Sequence, residues 1–148
     1  MSTGGKKIAV IGAGPAGYTA AQELSKNGYT VDIYDKEDRL GGAIYTGIPE
    51  YRMSKIFLDK VFASMKEDKN ITFHFNTKID CERFEGLRKN YDKVLVATGA
   101  QIENTYGFEP GNGLYAGLTL LYDLNIRGNH EYYKKYKKAM VWGGGNVA

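Results

Sequence analysis

Residues 7–17 read KIAVIGAGPAG, a short apolar run that passes directly into a glycine-rich turn. An apolar run that ends at a glycine is typical of a strand buried on both faces of a parallel sheet. Pro15 suits the first turn of a helix, and Gly28 is placed to end that helix. A second run, rich in β-branched and aromatic residues, follows at residues 30–34. The stretch therefore predicts a βαβ unit with a right-handed crossover.

The turn in this unit, residues 12–17, is a complete GxGxxG motif. Gly12 permits the tight turn, Gly14 lets a pyrophosphate approach the backbone, and Gly17 lets the helix and the strand pack closely. Unpaired amides and the dipole at the helix N-terminus attract phosphates. A glycine-rich turn without any ligand gives the same pattern, so the motif alone is weak evidence.

A second feature, Asp35, follows the second strand and lies 18 residues after Gly17. From that position a carboxylate accepts hydrogen bonds from both hydroxyls of an adenosine ribose. A lone acid at a strand end is otherwise a solvated residue. Together with the glycine motif, however, Asp35 predicts dinucleotide binding, and its charge disfavours a 2′-phosphate because the two negative charges repel.

The rest of the pattern extends the sheet. Residues 36–52 contain three glycines and one proline, which predicts an ordered loop instead of a helix or strand. Ser54 can cap a helix with one apolar face. Buried strands are predicted at residues 71–75 and 93–97, with a hairpin or a short helical excursion between them. The fold class predicted is α/β, with an open, Rossmann-like, doubly wound parallel sheet.

The composition bounds the class of protein. At 148 residues the chain is the size of one domain, and no apolar run approaches the roughly 18–20 residues that span a bilayer. The first residues lack the apolar core of a secretory signal, so we expect a cytoplasmic protein without a membrane partner. With one cysteine, the chain cannot itself form a CxxC dithiol or a four-cysteine iron–sulfur site, so electron chemistry needs a bound cofactor.

The net charge of +3 owes much to a tract of tyrosines and lysines at residues 132–138. Aromatic residues between lysines can bind nucleic acid, but a domain-wide basic face is missing, and such a tract is usually solvated surface. We therefore expect no nucleic-acid partner. His74, His130 and Cys81 fit no catalytic pattern, and Cys81 is expected to be buried.

Four segments together resemble one family. They are IAVIGAGPAGYTAAQELSKNGYTVDIYDK at residues 8–36, LGGAIYTGIPEYRMSK at 40–55, NTKID at 76–80 and YDKVLVATGA at 91–100. In this order they resemble the FAD-binding half of the flavoproteins related to the glutamate synthase small subunit, within the pyridine nucleotide-disulfide oxidoreductase superfamily. Adrenodoxin reductase is a more distant relative, and the resemblance covers nearly all of residues 6–148.

The resemblance implies a set of FAD contacts. It places the pyrophosphate at the first glycine motif, the adenosine ribose at Asp35, and the flavin near the loop at residues 40–43 and the segment at 47–52. The implied cofactor-binding residues are Gly12, Gly14, Pro15, Ala16, Gly17, Asp35, Lys36, Gly41, Gly42, Ala43, Arg52, Ile79, Ala97, Thr98 and Gly99. No catalytic acid, base or nucleophile is predicted.

Some of these residues have a plainer interpretation. The loop at residues 40–43 is otherwise a flexible turn. Ile79, whose backbone is implied to meet the adenine, is otherwise a core residue. Arg52 either offers charge to the reduced flavin or pairs with Glu50. In residues 97–99, implied to lie at a crossing between domains, the glycine permits a ligand or another backbone to approach.

The resemblance also divides the chain. It implies an FAD-binding domain at residues 1–105, a connection at 106–137 and the start of a truncated NAD(P)-binding domain at 138–148. In that last part, residues 139–142 predict the beginning of a strand. They precede a GxGxxA pattern at Gly143, Gly145 and Ala148, which resembles the family's nicotinamide-nucleotide fingerprint. The predicted fold is thus incomplete in this chain.

The implied function is that of an NAD(P)H-dependent flavoprotein oxidoreductase. Hydride passes from NAD(P)H to FAD, and electrons then pass to an acceptor such as an iron–sulfur centre. The chain by itself is not expected to complete hydride transfer, which implies a companion chain or an electron-transfer partner. The alternative is a non-catalytic module that binds FAD or an adenine nucleotide. Exposed apolar surface and self-association are expected in either case.

Overall fold

Four parallel strands form one sheet in the computed structural model, which describes residues 5–100 and 102–148. The strands are β1 Lys7–Ile11, β2 Thr30–Tyr34, β3 Ile71–His74 and β4 Lys93–Val96. Their order is β3-β2-β1-β4, and every neighbouring pair is parallel. This is the order of the first four strands of a doubly wound fold, so the predicted fold class is confirmed. Residues 1–4 and 101, inside the predicted first domain, lie outside the described residues.

Six α-helices accompany the sheet in the described part of the chain. They are α1 Pro15–Lys26, α2 Ala43–Gly47, α3 Lys55–Met65, α4 Cys81–Asn90, α5 Gly117–Tyr122 and α6 His130–Tyr133. A π-helical turn, Asp123–Arg127, directly extends α5. None of the described helices is long and apolar enough to cross a membrane.

Two helices begin at the residues that cap them. The Ser54 hydroxyl accepts a hydrogen bond from the Phe57 amide at 3.4 Å, as the sequence predicts. The Asp80 carboxylate accepts one from the Arg83 amide at 2.9 Å and starts α4. The helical alternative between β3 and β4 is thus confirmed. Cys81 opens this helix and is exposed, so the prediction that it is buried was wrong.

The loop predicted at residues 36–52 needs a correction, because it contains α2. Gly41 and Gly42 precede this helix with φ values of 118° and 48°, which side chains rarely adopt. These glycines resemble loop residues in the sequence, but here they turn the chain sharply into a helical turn. The five-residue helix is held mainly by contacts with other elements, as is general for short helices.

Each face of the sheet packs against different helices. Residues that alternate along a strand point to opposite faces. On one face, Val10, Ile33 and their neighbours pack with Leu58 and Phe62 of α3 in the larger core cluster. On the other face, Ala9 and Ile11 of β1 pack with Leu87 of α4. Because β1 lies between β2 and β4, the glycine turn that follows it lies inside the carboxyl edge of the sheet and not at its end.

Strand β4 is less buried than its apolar sequence predicts. Leu95 is 38% exposed and Val96 is 58% exposed. Within the described residues, β4 pairs with β1 alone, so it forms one edge of the sheet. The prediction of a buried strand was therefore wrong here, while that of exposed apolar surface is confirmed. Self-association remains a prediction.

The predicted strand at residues 139–142 is also absent from the structure. These residues have no regular secondary structure, and Met140 and Trp142 are 93% and 73% exposed. A strand requires a paired neighbour for its amides and carbonyls. None of the described strands pairs with this segment, which explains the difference.

A charged group lies within the sheet beneath α4. Asp32 of β2 is buried, at 4% exposure, and its carboxylate contacts the Lys7 ammonium at 2.7 Å. The Tyr91 hydroxyl donates to the same carboxylate and accepts from the Tyr34 hydroxyl. His74 Nε2 lies 3.8 Å away. Burial acts to raise the pKa of Asp32, but hydrogen bonds from Lys7 and Tyr91 outweigh it and hold the pKa below its ordinary value.

This arrangement predicts a pH-dependent contribution to stability. We expect Asp32→Asn to lower the free energy of unfolding at neutral pH by about 1–3 kcal/mol, since hydrogen bonds to a buried charge are weakened. The folded-state pKa lies below the unfolded value of about 3.9. The stabilisation is therefore present above that pH and is lost as pH falls through the folded-state pKa.

Urea unfolding of wild type, Asp32→Asn and the exposed control Glu67→Gln from pH 6 to pH 3 measures this effect. The difference between wild type and Asp32→Asn should shrink towards pH 3. A difference that stays constant over the whole range would contradict the assignment of the stabilising charge to Asp32.

Candidate functional site

The glycine turn after β1 is packed tightly on both sides. Gly12 has a φ of 108°, and a Cβ there would lie 2.3 Å from the carbonyl oxygen of Ala97. A Cβ on Gly17 would lie 1.8 Å from the carbonyl oxygen of Gly12. Since real Cβ atoms do not approach so closely, both positions require glycine. Their predicted roles in the turn and in helix packing are confirmed.

Helix α1 begins at this turn with its amides directed to the carboxyl edge of the sheet. Its N-cap residue is Gly14, which has no side chain to accept hydrogen bonds from the first turn. Pro15 occupies the first helical position, where its missing N–H is not needed. Pro15 and Ala16 are exposed. The helix N-terminus is thus an accessible, uncapped group of donors, which suits an anion.

Asp35 lies beside the turn and is oriented by the backbone. Its Oδ2 accepts a hydrogen bond from the Ala13 amide at 2.6 Å, and its Oδ1 accepts one from the Glu37 amide at 2.8 Å. An ionised carboxylate has about four acceptor positions, so two remain for a ligand. The structure therefore brings the predicted ribose acceptor to the predicted phosphate turn. Lys36, next in the chain, is exposed, with its ammonium 3.9 Å from Glu37.

The segment at residues 40–43 closes against the glycine turn. The Gly41 amide donates to the carbonyl oxygen of Ala13 at 3.0 Å. A Cβ on Gly42 would lie 2.8 Å from the Cα of Gly14, and one on Gly41 would lie 2.9 Å from the Phe62 ring. The two glycine segments therefore touch through their backbones. This ordered contact argues against the alternative of a flexible turn.

Residues 97–99 border the turn from the side of β4. The Ala97 amide donates to the carbonyl oxygen of Ile11 at 2.8 Å, and Gly12 packs on the Ala97 carbonyl. Thr98 and Gly99 are exposed, and Gly99 has a φ of 70°. The structure thus joins this segment to the glycine turn. Its implied place at a crossing between domains remains a prediction.

Ile79 and Arg52 lie away from this centre. Ile79 is half-buried and packs on the cluster of Ala9, Ile11 and Leu87, which favours the core interpretation. Arg52 is exposed, and no ion pair joins it to Glu50 among the residues described. Instead, both residues line a cavity of about 690 Å³. The pairing alternative for Arg52 is therefore not what the structure shows.

That cavity lies between the segment at residues 49–52 and the region of α5 and its π-helical turn. Its lining combines cationic side chains with leucines and an isoleucine, and it also includes Glu50 and residues 146–148. The lining residues include Arg52, Lys55, Leu121, Leu124, Asn125 and Arg127. The volume lies within the range of small-molecule sites, roughly 300–1,000 Å³.

Several contacts of α5, the π-helical turn and Lys55 of α3 have no signal in the sequence. The Tyr122 hydroxyl donates to the Glu37 carboxylate at 2.9 Å, and the Glu37 amide in turn orients Asp35. Burial, followed by the bond to Glu37, raises the pKa of Tyr122. Lys55 and Asn125 donate to carbonyls at the end of α2. Part of the predicted connection thus packs directly on the site, and no local sequence pattern indicates it.

The second glycine pattern does not form a comparable structure. Gly143, Gly145 and Ala148 are exposed and belong to no helix or strand. The side chain of Val147 packs instead against Gly117 at the start of α5. In the described residues, no cluster of three or more His, Cys, Asp or Glu side chains is arranged to hold a metal ion.

A family model described as pyridine nucleotide-disulphide oxidoreductase matches residues 6–148. The chain belongs to this family. The resemblance inferred from the four sequence segments is therefore confirmed.

Relatives in two enzyme systems are similar over much of the chain. The NADP(+)-dependent formate dehydrogenase subunit beta of Moorella thermoacetica is 36% identical over 151 aligned residues, covering 99% of this chain and 21% of that protein. The NADPH glutamate synthase small chain of Mycobacterium tuberculosis (strain CDC 1551 / Oshkosh) is 41% identical over 97 residues, covering 65% and 20%. The chain spans about a fifth of the length of these relatives.

The fold also matches solved structures. Mycobacterium tuberculosis FprA in complex with NADPH aligns with a TM-score of 0.72 at 22% identity, over 88% of this chain and 30% of that chain. At this identity the likeness establishes the fold alone.

The contact between Gly17 and Gly12 yields a test with a matched control. We expect Gly17→Ala to lower the free energy of unfolding by about 3 kcal/mol, because the added methyl group overpacks the turn. Gly86, in α4, has no atom within 4 Å of the position that a Cβ would occupy. Gly86→Ala should therefore raise the free energy of unfolding by roughly 0.5–1 kcal/mol. Urea denaturation followed by circular dichroism measures both, and equal effects of the two variants would contradict the packing described.

Proposed function

We propose that this chain is an FAD-binding part of an NAD(P)H-dependent flavoprotein oxidoreductase. The observation that carries the proposal is the meeting of three segments at the carboxyl edge of the sheet. These are the glycine turn, Asp35 and the segment at residues 40–43, which contact one another through hydrogen bonds and close backbone approaches. Ligands of doubly wound sheets bind at this edge.

The residues present fit the pyrophosphate and the adenosine ribose of such a cofactor. Gly12 and Gly14 leave the backbone open, and the uncapped N-terminus of α1 attracts negative charge. Asp35, fixed by two backbone amides, keeps acceptor positions for ribose hydroxyls. Its negative charge repels a 2′-phosphate, which favours FAD over NADP at this turn.

Other residues serve as boundaries of the site. In this proposal, Gly41, Gly42 and Ala43 bring backbone amides close to the phosphates and the ring, and Lys36 adds a contact near the ribose. Arg52 supplies positive charge at the cavity by the segment at residues 49–52. The backbone of Ile79 meets the adenine, while its side chain packs in the core.

When bound, FAD supplies the redox chemistry, accepting hydride from NAD(P)H and releasing electrons to an acceptor such as an iron–sulfur centre. The residues of this chain bind and orient the cofactor and exclude water, so no catalytic acid or base is assigned. Two relatives are named as a subunit and a small chain, which supports a companion chain as a partner. NAD(P)H binding itself belongs, in this proposal, to the complete enzyme.

The alternative is a non-catalytic module that holds FAD or an adenine nucleotide. Its support is that the glycine turn and Asp35 suit the phosphates and the ribose that FAD shares with other adenine nucleotides. The two functions differ in one observable. Bleaching of bound flavin by NADPH or NADH, in the chain together with any companion, supports the oxidoreductase and excludes the module.

The role of Asp35 gives the test of cofactor binding. We expect Asp35→Asn to raise the Kd for FAD about tenfold to a hundredfold, because a charge-assisted hydrogen bond to the ribose contributes about 1.5–3 kcal/mol. The matched control is Asp59→Asn, which removes an exposed carboxylate on α3. Titration of FAD, followed by its fluorescence, measures both affinities.

The control should leave the Kd for FAD unchanged. Equal affinity of wild type and Asp35→Asn would remove Asp35 from the site. A comparison of urea midpoints separates loss of binding from loss of folding.

A further inference from the structure

Helix α2 connects two parts of the site. Directly before its first residue, Gly42 touches Gly14 of the glycine turn, and at its end the chain continues into the segment at residues 48–52. With five residues at 1.5 Å each, the helix is only about 7 Å long. A shift at one end is therefore transmitted directly to the other. Side chains that hold the end of α2 therefore also affect the contact between Gly42 and Gly14.

The carbonyls at that end are held by two side chains from other elements. Lys55, the first residue of α3, donates from Nζ to the carbonyl oxygens of Tyr45 at 2.6 Å and Ile48 at 2.7 Å. Asn125, from the π-helical turn, donates from Nδ2 to the carbonyl oxygens of Thr46 at 2.8 Å and Ile48 at 3.4 Å. We call these two residues the α2 clamp.

The clamp satisfies groups that the helix cannot satisfy itself. The last carbonyls of any α-helix lack partners within the helix, and a cation near them is favoured by the helix dipole. The Lys55 ammonium also lies 4.7 Å from the centre of the Tyr45 ring, which adds a cation–π contact. Burial lowers the pKa of Lys55, in keeping with its half-buried position.

Both clamp residues line the same cavity as Arg52. The carbonyl of Ile48 receives a hydrogen bond from each of them, so α3 and the π-helical turn are joined at one atom. Four residues further on is Arg52, whose amide donates to the Pro49 carbonyl at 3.0 Å. The clamp thus fixes the position of Ile48, where the segment at residues 48–52 begins.

We propose that Lys55 and Asn125 are positioning residues that fix α2 and the segment at residues 48–52 in the conformation that receives the cofactor. The inference rests on the proposed FAD site, but the clamp itself acts in the absence of any ligand. Loss of either donor should loosen the end of α2, and the loosened ensemble should bind FAD more weakly because fewer molecules are in the competent conformation.

The variants are Lys55→Met, which keeps most of the side-chain volume without the charge, and Asn125→Leu. Lys55→Arg retains a cation with several donors, and Lys60→Met is the control on the exposed side of α3. Amide hydrogen exchange of residues 43–52 is measured in the chain without FAD. The Kd for FAD, the visible circular dichroism of bound flavin and the urea midpoint are measured alongside.

We expect Lys55→Met and Asn125→Leu each to leave the amides at residues 43–52 almost without protection. The Kd for FAD should then rise about tenfold, because only about a tenth of the molecules would be in the competent conformation. Their urea midpoints should stay close to that of Lys60→Met, the flavin signal should change shape, and Lys55→Arg should restore most of the affinity. The double variant should show less than the product of the two single effects, because both donors share Ile48.

Unchanged protection, or a Kd equal to that of Lys60→Met, would overturn the inference. A loss of affinity explained wholly by a lower urea midpoint, without rescue by Lys55→Arg, would overturn it too. If wild type binds no FAD, the proposed function fails. Amide exchange at residues 43–52 then tests whether the clamp holds α2: lower protection in the variants supports this role, and equal protection refutes it.

Discussion

Helix α1 approaches the turn after β1 so closely that only a hydrogen atom fits between Gly17 and the carbonyl oxygen of Gly12. This contact directs the first turn of the helix to the carboxyl edge of the sheet. From that position its amides face the same space as Asp35 and the segment at residues 40–43. Since β1 pairs with β2 on one side and β4 on the other, the turn is also held between Tyr34 and Ala97. This close approach thus determines where the N-terminus of α1 lies in the candidate site.

The second layer of the site comes from more distant parts of the chain. Tyr122 reaches Glu37 beside Asp35, and Asn125 reaches the end of α2, 79 residues away from Thr46 in sequence. Part of the predicted connection at residues 106–137 therefore stabilises the loops of the candidate site. Its hydrogen bonds fix Glu37 and the end of α2, whichever domain this stretch belongs to.

The sequence is most informative where local physics determines the outcome. The apolar runs predicted the four strands of the described sheet to within a residue. The glycine motif and Asp35, predicted to act together, do lie in contact. Ser54 marked the start of α3. In each case a short pattern carries its own physical reason, such as a capping hydroxyl or a glycine at a positive φ.

Predictions failed where the outcome depends on neighbours. The exposure of Val96 in β4 depends on what covers an edge strand, which its apolar sequence does not reveal. Helix α2 escaped because Gly41 and Gly42 resemble loop residues until packing fixes them. The roles of Lys55 and Asn125 could not be predicted, because a lysine and an asparagine in these positions are ordinary surface residues unless α2 lies beside them.

The proposed site should retain FAD in preference to FMN. FMN carries the same flavin but lacks the adenosine and the second phosphate, which are the parts assigned to Asp35 and the glycine turn. The chain is mixed with either flavin, freed of excess by gel filtration and examined by visible absorption. We expect flavin bands with FAD and none with FMN. Equal retention of both flavins, or retention of neither, would contradict the assignment of the glycine turn and Asp35 to FAD.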